Sequence, residues 1–302
     1  MINFYFSDEY VNHDTGSHPE SIQRIKTVKQ LLNNKYTKHH FIEPSKASIE
    51  LISNVHDKQY IEEIIMNIPK SGFYHFDPDT IASSTSLNSY LMAVGGSVDS
   101  VIHSINHQSK NPVYFCAHRP PGHHAEKNKA MGFGVFNNVA IAAQFALEQK
   151  NYNKILIIDF DVHHGNGTQH IFESNPDIIY ASSHQYPFYP GTGNENEIGV
   201  GNIFNCPLPS GCDSDLFREL FQKKIIDKIN MNFDIIFFSA GFDAHKLDPL
   251  ASINLENEDF AWVTKAILKK FAKDIPVISL LEGGYDMDGL YNGLDFHLRI
   301  LD

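Results

Sequence analysis

The sequence predicts a single-domain α/β fold in which a mostly parallel sheet is covered by helices on both faces. Six short runs of apolar, β-branched or aromatic residues recur along the chain, and segments with helical spacing alternate with them. This alternation is typical of parallel sheets whose strands are joined by helices. The 302 residues contain no internal repeat and no long linker, so one domain over residues 1–302 is expected.

The six apolar runs predict the strands of this sheet. Short continuous apolar runs between polar segments are typical of strands that are buried on both faces. The runs are I-N-F-Y-F at residue 2, V-Y-F-C-A at 113, I-L-I-I-D at 155, I-I-Y-A-S at 178, I-I-F-F-S at 235 and V-I-S-L-L at 277.

Four segments between the runs have apolar residues at helical spacing. They cover residues 87–105, 139–147, 216–229 and 260–271. A further helix is expected near the N-terminus, because Ser17 and Glu20 have the spacing of a capping box and Pro19 fits the first turn. This helix would run through Ile25 and Leu31.

Composition and charge restrict the classes of partner. The chain has 24 basic and 36 acidic residues, and this net charge of -12 argues against direct nucleic-acid binding. No window approaches about 18 uninterrupted apolar residues, so no membrane span is expected.

The three cysteines lack metal-site spacing, and the N-terminus lacks the basic region of a signal peptide. A cytoplasmic location is expected, signal-independent secretion is the alternative, and the oligomeric state stays open.

Polar residues follow five of the predicted strands. The carboxyl ends of parallel strands meet at one edge of a sheet, and ligands bind there. These side chains are therefore expected to form one site. They are His123 and His124 after the strand at 113, Asp159, Asp161 and His163 at the end of the strand at 155, Ser182 and His184 after 178, Asp243 after 235, and residues 282–285 after 277.

Asp161 and His163 are the first candidate metal ligands. Alternate side chains of an extended segment point to one side, so both can share an ion. Asp243 is the third candidate, because the small residues of S-A-G-F-D-A-H allow close approach. Three protein ligands leave one position open, as in catalytic zinc sites, and Fe²⁺, Co²⁺ or Mn²⁺ also suit these residue types. The alternative is a buried ion-pair network around His163.

Two further segments carry residues suited to hydrolysis. His123 and His124 follow a Pro-Pro-Gly turn, and adjacent imidazoles suit proton transfer from an attacking water and to a leaving group. In L-E-G-G-Y, Tyr285 is a hydroxyl donor for an oxygen that gains negative charge. The alternatives are a solvated histidine pair and an ordinary tyrosine after a glycine turn.

The order of these motifs resembles the zinc-dependent histone deacetylase superfamily, which also contains acetylpolyamine amidohydrolases and acetoin-utilisation proteins. The motifs are R-P-P-G-H-H, D-F-D-V-H-H-G-N-G, P-F-Y-P-G-T-G, S-A-G-F-D-A-H and G-G-Y, preceded by an H-P-E-x-x-x-R pattern from His18 to Arg24. The match spans nearly the whole chain, with class II-like, bacterial-type features. It implies an arginase-like α/β fold.

The resemblance also implies a role for each candidate residue. It implies that Zn²⁺ is held by Asp161, His163 and Asp243. His124 would act as general base and acid, and His123 would assist it while hydrogen-bonded to Asp159. Tyr285 would polarise the scissile amide carbonyl. A structural K⁺ is implied as well, and its oxygens, several of them main-chain carbonyls, would come from Asp159, Asp161, His163, Ser182 and Ser183.

The substrate channel is implied by the same resemblance. Gly132, Phe133 and Tyr189 match positions that wall the channel, and aromatic faces pack well against the aliphatic stem of lysine. Asn166 stands where some members have an aspartate beside the second histidine, which predicts a lower pKa for that histidine. Leu250 stands where the polyamine-selective branch has an acidic residue, and this difference favours acyl-lysine.

The sequence therefore predicts a metal-dependent amidohydrolase that removes acetyl or another short acyl group from lysine in peptides or proteins. The nearest alternative is the same chemistry on acetylated polyamines or another small amide. A catalytically silent acyl-lysine binding module and a binuclear manganese ureohydrolase are two further alternatives. The ureohydrolase needs more bridging Asp and His ligands than these motifs offer.

Overall fold

Strands and helices alternate along the chain in the computed structural model, which describes residues 1–107 and 111–302. The strands are β1 (Ile2–Tyr5), β2 (His40–Ile42), β3 (Phe73–His75), β4 (Ile81–Ser83), β5 (Val113–Cys116), β6 (Ile155–Asp159), β7 (Ile178–Gln185), β8 (Ile203–Leu208), β9 (Ile235–Ala240) and β10 (Val277–Leu281). The α-helices are α1 (Ile22–Lys35), α2 (Ile49–Ile52), α3 (Lys58–Met66), α4 (Ser86–Asn106), α5 (Asn138–Glu148), α6 (Asn166–Phe172), α7 (Ser214–Phe221), α8 (Asn257–Phe271) and α9 (Met287–Leu301).

Within the described ranges, eight of the strands form one sheet in the order β2-β1-β5-β10-β9-β6-β7-β8. Every pairing in this sheet is parallel. Strands β3 and β4 form a separate antiparallel pair. The predicted fold class, a single α/β domain with a mostly parallel sheet, is confirmed.

The sheet has a hydrophobic core on each face. Along β6, Leu156 and Ile158 pack into one core, while Ile155 and Ile157 pack into the other. Residues of α1, α7, α8 and α9 close the first core, and residues of α3, α4 and α5 close the second. Both faces of the central strands are therefore buried, which explains why these strands read as uninterrupted apolar runs.

All six predicted strands are present, but the sequence did not indicate β2, β8 or the β3–β4 pair. Strand β2 has three residues, which is too short for a periodicity signal. Strand β8 contains Asn205 and Pro207 and lies at the edge of the sheet. Proline is tolerated in edge strands because one side of the strand needs no backbone donor.

Two helix predictions need correction. Helix α1 begins at Ile22 after Ser21, so Ser17 is not its N-cap. Glu20 instead directs its carboxylate to Arg119, and the buried ion pair outweighs a capping interaction. The segment predicted as one helix over 216–229 is α7 followed by a π-helical turn at Gln222–Ile226. None of the helices in the two described ranges is long and apolar enough to cross a membrane.

Candidate active site and metal centre

The candidate site lies in the loops that follow the parallel strands. Asp159 is the last residue of β6, and Asp161 and His163 follow it directly. Asp243 follows β9 and Tyr285 follows β10. The histidine pair, His123 and His124, lies in the loop after β5. Strands β5, β10, β9 and β6 are consecutive neighbours in the sheet, so these loops meet at its carboxyl edge.

Asp161, His163 and Asp243 converge on one point. One donor atom from each residue lies within 4.8 Å of the others, and all three residues are buried. His163 Nδ1 is 3.2 Å from Asp161 Oδ1 and 3.1 Å from Asp243 Oδ2. The sequence predicted these three residues as ligands from two strand ends, and the fold brings them together.

Backbone amides hold the two carboxylates in place. The amide of Gly283 donates to Asp161 Oδ2 over 2.8 Å, and the amide of Val162 donates to Asp243 Oδ1 over 2.8 Å. A Cβ atom at Gly283 would lie 2.2 Å from Asp243 Oδ2 and 2.5 Å from Asp161 Oδ2. Only glycine fits at position 283, which explains why the G-G-Y motif begins with glycine.

The three side chains of this cluster shift one another's pKa values. Burial and the neighbouring Asp161 charge raise the pKa of Asp243 to about 7. Burial also acts to raise the pKa of Asp161, but the charge of His123 and hydrogen bonding with His163 hold it below its usual range. Burial lowers the pKa of His163, yet its bonds to the two carboxylates outweigh burial and raise the pKa to about 10.

The donor set fits a divalent metal ion. Two carboxylates and one imidazole nitrogen are ligands for Zn²⁺, and Fe²⁺ or Co²⁺ use the same donor types. The carboxylates are buried and pre-aligned by backbone amides, and they face one another around a common point. Two buried carboxylates this close repel each other unless a positive charge lies between them.

His123 and His124 have different partners. His123 Nδ1 is 2.9 Å from Asp159 Oδ2, and the Tyr180 hydroxyl donates to the same oxygen over 2.9 Å. His124 Nδ1 is 2.8 Å from Asn166 Oδ1. Burial first, and then the charge of His123, hold the pKa of His124 well below its usual value. The structure thus contains both pairings expected from the sequence.

Tyr285 is held on two sides. Its backbone amide donates to Asp248 Oδ2 over 2.6 Å, and the Arg24 guanidinium carbon lies 4.9 Å from its ring centroid. Arg24 also donates through Nε to the Gly284 carbonyl over 2.7 Å. Burial raises the pKa of Tyr285 well above its usual value, so its hydroxyl keeps its proton and remains a donor.

A cavity of about 340 Å³ leads to this cluster. The Phe133 and Tyr285 rings form a T-shaped pair with centroids 5.5 Å apart, and the Tyr189 and His124 rings form another with centroids 5.2 Å apart. Gly132 has φ +56, and a Cβ there would lie 2.2 Å from His124 Cδ2. The residues that line the cavity are His18, Pro19, Asp79, His124, Gly132, Phe133, His163, Phe188, Tyr189, Leu250 and Tyr285. All four predicted channel residues are among them.

Residues 18–301 match the family model of the histone deacetylase domain. The chain belongs to the histone deacetylase family. This membership covers nearly the whole chain, including every residue of the cluster around Asp161. The protein is therefore a hydrolase of the deacetylase type.

Relatives of the histone deacetylase family align over the same length. Histone deacetylase 14 (chloroplastic) of Arabidopsis thaliana is 38% identical over 315 residues, which is 96% of this chain and 74% of the plant protein. A probable deacetylase of Archaeoglobus fulgidus is 33% identical over 302 residues, 96% of this chain and 82% of that protein. The crystal structure of the HDA15 HD domain superposes with a TM-score of 0.90 at 28% identity, covering 99% of this chain and 90% of that one. The arginase-like fold is thereby confirmed.

The residues expected around K⁺ lie together beside the candidate metal site. Asp159 on β6 is paired in register with Ser182 on β7, and Ser183 follows it. Ser182 Oγ is 2.8 Å from His184 Nδ1, and Asp161 N donates to Asp159 Oδ1 over 3.1 Å. All of these residues are buried. Their role in binding K⁺ remains a prediction.

The sequence did not indicate Asp248, and it placed Glu282 and Phe188 near the site without indicating the contacts that they make. Glu282 Oε2 accepts from the backbone amides of Gly122 and His123 and so fixes the turn that presents the histidine pair. Asp248 fixes the backbone at Tyr285. Phe188 stacks on His163 with centroids 5.5 Å apart. The partners are distant in sequence, so no local pattern could have indicated these contacts.

Proposed function

We propose that the protein is a metal-dependent lysine deacylase that removes acetyl or another short acyl group from the ε-amino group of lysine in peptides or proteins. We also propose that residues 1–302 form one catalytic domain. The single observation that carries the proposal is the cavity that leads between aromatic walls to Asp161, His163, Asp243, the histidine pair and Tyr285.

The shape and lining of the cavity support an acyl-lysine substrate. Phe133 and Tyr189 offer aromatic surfaces for an aliphatic lysine stem, and such stems are readily buried while a polar end is presented deeper. Leu250 adds an apolar surface. The acyl amide would then lie beside Tyr285 and His124 at the inner end.

Asp161, His163 and Asp243 would hold the metal ion, with Zn²⁺ first and Fe²⁺ or Co²⁺ as alternatives. When bound, such an ion supplies Lewis-acid activation of water and of the amide carbonyl. The backbone donors from Gly283 and Val162 hold the two carboxylates in fixed positions, which supports this assignment.

The histidine pair would provide proton transfer and charge stabilisation. His124 is held neutral by burial, so its unprotonated nitrogen can accept a proton from the attacking water and later give it to the lysine amine. His123 has a pKa well above its usual value, because Asp159 and Asp161 outweigh burial. A charged His123 would stabilise negative charge that develops nearby.

The Tyr285 hydroxyl would donate a hydrogen bond to the carbonyl oxygen as negative charge develops on it. Arg24 donates to the Gly284 carbonyl and Asp248 accepts from the Tyr285 amide, which favours a fixed hydroxyl position. A structural K⁺ held by oxygens of Asp159, Asp161, His163, Ser182 and Ser183 would brace the loop that carries two of the metal ligands.

An acetylated polyamine is the second candidate substrate. The observation that favours it is the carboxylate of Asp79, which lines the same cavity and would attract a second ammonium group. Leu250, by contrast, offers no charge to such a group.

Side-by-side turnover separates the two substrate classes. We expect kcat/KM for an acetyl-lysine peptide to exceed that for acetylputrescine by about 10-fold or more, since the apolar surfaces of Phe133, Tyr189 and Leu250 suit a lysine stem better than a free ammonium group. Turnover of acetyl-, propionyl- and butyryl-lysine peptides then measures the acyl preference. Faster turnover of acetylputrescine would reverse the assignment, and hydrolysis of neither class by the metal-loaded protein would contradict the proposed function.

A further inference from the structure

A chain of hydrogen bonds leads from His124 to the protein surface. His124 Nδ1 is bonded to Asn166 Oδ1 over 2.8 Å, and Asn166 Nδ2 donates to Glu126 Oε1. His170 Nδ1 lies 2.7 Å from the same Glu126 oxygen. Glu126 and His170 also line a surface cavity of about 370 Å³, which is separate from the cavity that contains Tyr285.

Local structure explains this alignment. Asn166 is the first residue of α6 and His170 follows one turn later, so both side chains lie on one face of the helix. Glu126 lies in the loop just after the histidine pair, where its amide donates to the Lys129 carbonyl over 2.9 Å. The Glu126 side chain is 19% exposed and the His170 side chain is 40% exposed. The loop and the helix thus meet through Glu126.

Glu126 is ionised and can only accept. Burial acts to raise its pKa, but hydrogen bonds from His170 and Asn166 outweigh burial and lower the pKa below its usual value. An ionised carboxylate has no donor. The NH₂ group of Asn166 must therefore face Glu126, and its carbonyl oxygen must face His124.

The orientation of this amide sets the tautomer of His124. Because Asn166 Oδ1 accepts, Nδ1 of a neutral His124 must carry the proton and Nε2 must carry the lone pair. We propose that Glu126 is a positioning residue that fixes the Asn166 amide and thereby keeps Nε2 of His124 as the proton acceptor. This proposal rests on the proposed function, in which His124 is the general base.

Without Glu126, few groups would hold the amide. The other contacts of Asn166 Nδ2 are the Met131 sulfur at 3.3 Å and the His124 carbonyl at 3.4 Å. A thioether is a weak acceptor, and a bond of 3.4 Å is long. The two amide orientations would then differ little in free energy, and the inverted one presents a donor to His124.

Glu126→Leu removes the carboxylate that accepts from the Asn166 amide. Glu62→Leu is the matched control, because it makes the same change at an exposed glutamate of α3. We expect Glu126→Leu to lower kcat about 10-fold or more with KM within about twofold, as is typical when the partner of a site residue is removed. Glu62→Leu should retain both values. Nitrogen-15 NMR of the histidine rings, with His124 assigned by its loss in His124→Gln, should show a mixed His124 tautomer in Glu126→Leu alone.

An exchange of amide and carboxylate gives the sharper test. Asn166→Asp places two carboxylates opposite each other and should lower kcat, whereas Glu126→Gln combined with Asn166→Asp restores a donor at 126 and an acceptor at 166. At the optimum pH of each protein, we expect the double variant to recover kcat to within about threefold of wild type. A merely structural loss at either position would not be rescued by the second change.

The outcomes separate the two proposals. If Glu126→Leu keeps the wild-type kcat and His124 tautomer, or if the double variant is no faster than Asn166→Asp, the positioning role is wrong. If the wild-type protein hydrolyses no acyl-lysine peptide, the proposed function is wrong, while the NMR tautomer still decides the role of Glu126. Should Glu126→Leu fail to fold, the exchanged pair decides it.

Discussion

His123 and Asp159 are joined by a buried hydrogen bond of 2.9 Å between the imidazole Nδ1 and the carboxylate Oδ2. The next residue, His124, bonds instead to the neutral amide of Asn166. The pKa of His123 is raised because Asp159 outweighs burial, whereas burial and the charge of His123 lower the pKa of His124. Two adjacent imidazoles therefore carry different charges, which suits one to charge stabilisation and the other to proton transfer.

The substitution Asp159→Asn should reduce the pKa difference between His123 and His124. Without the carboxylate, burial loses its strongest opposition and the pKa of His123 should fall, which NMR titration of the ring measures. We expect kcat to fall about 10-fold or more. Tyr180→Phe is the control, because it removes a hydrogen bond to the same oxygen but leaves the charge. An unchanged His123 titration in Asp159→Asn would show that the pairing does not set the charge.

Tyr285→Phe should slow hydrolysis about 100-fold or more while the metal content stays the same, because removal of one oxyanion donor typically has an effect of this size. The ring itself, and its contact with Arg24, would remain. Steady-state kinetics with an acetyl-lysine peptide, combined with metal analysis, measure both quantities. Equal turnover of Tyr285→Phe and wild type would overturn the role proposed for the hydroxyl.

Leu250→Glu should shift the substrate preference toward acetylputrescine. A carboxylate among the residues that line the cavity attracts the free ammonium group of a polyamine, and we expect the ratio of kcat/KM values to move by about 10-fold. Leu250→Gln has a similar size without the charge and should leave the ratio near that of wild type. If both variants have the same ratio of kcat/KM values, a charge at residue 250 does not determine the substrate preference.

His56 should make stability depend on pH. Burial lowers its pKa to about 4, while an unfolded histidine titrates near 6.5. Between these values the unfolded chain binds a proton that the folded protein excludes, so stability is lost as pH falls. From pH 7 to pH 5, wild type should lose about 2 kcal/mol more free energy of unfolding than His56→Gln. Urea unfolding at both pH values measures this, and an equal loss in both proteins would contradict it.

Much of the fold was predictable because its central strands are buried on both faces and read as continuous apolar runs. The placement of Asp161, His163 and Asp243 was predictable too, since polar residues that end parallel strands must share one edge. Strand β8 was not, because its Asn205 and Pro207 are tolerated only at an edge position that the sequence does not reveal.

The supporting residues were beyond local patterns. Glu126 resembles any loop glutamate until α6 brings Asn166 and His170 against it. Glu20 sits at capping-box spacing from Ser17, yet its carboxylate binds Arg119, which lies 99 residues away in sequence. In both cases a tertiary contact decides what the side chain does.

Metal content is the most direct test of the site. We expect wild type, purified without chelators, to contain about one divalent ion per chain and to lose activity when the ion is removed. Asp243→Asn should lose both the ion and the activity, while Asp288→Asn, the same change at an exposed position, should keep both. A wild-type protein that hydrolyses acyl-lysine after complete metal removal, or an Asp243→Asn protein with undiminished metal content, would contradict the account.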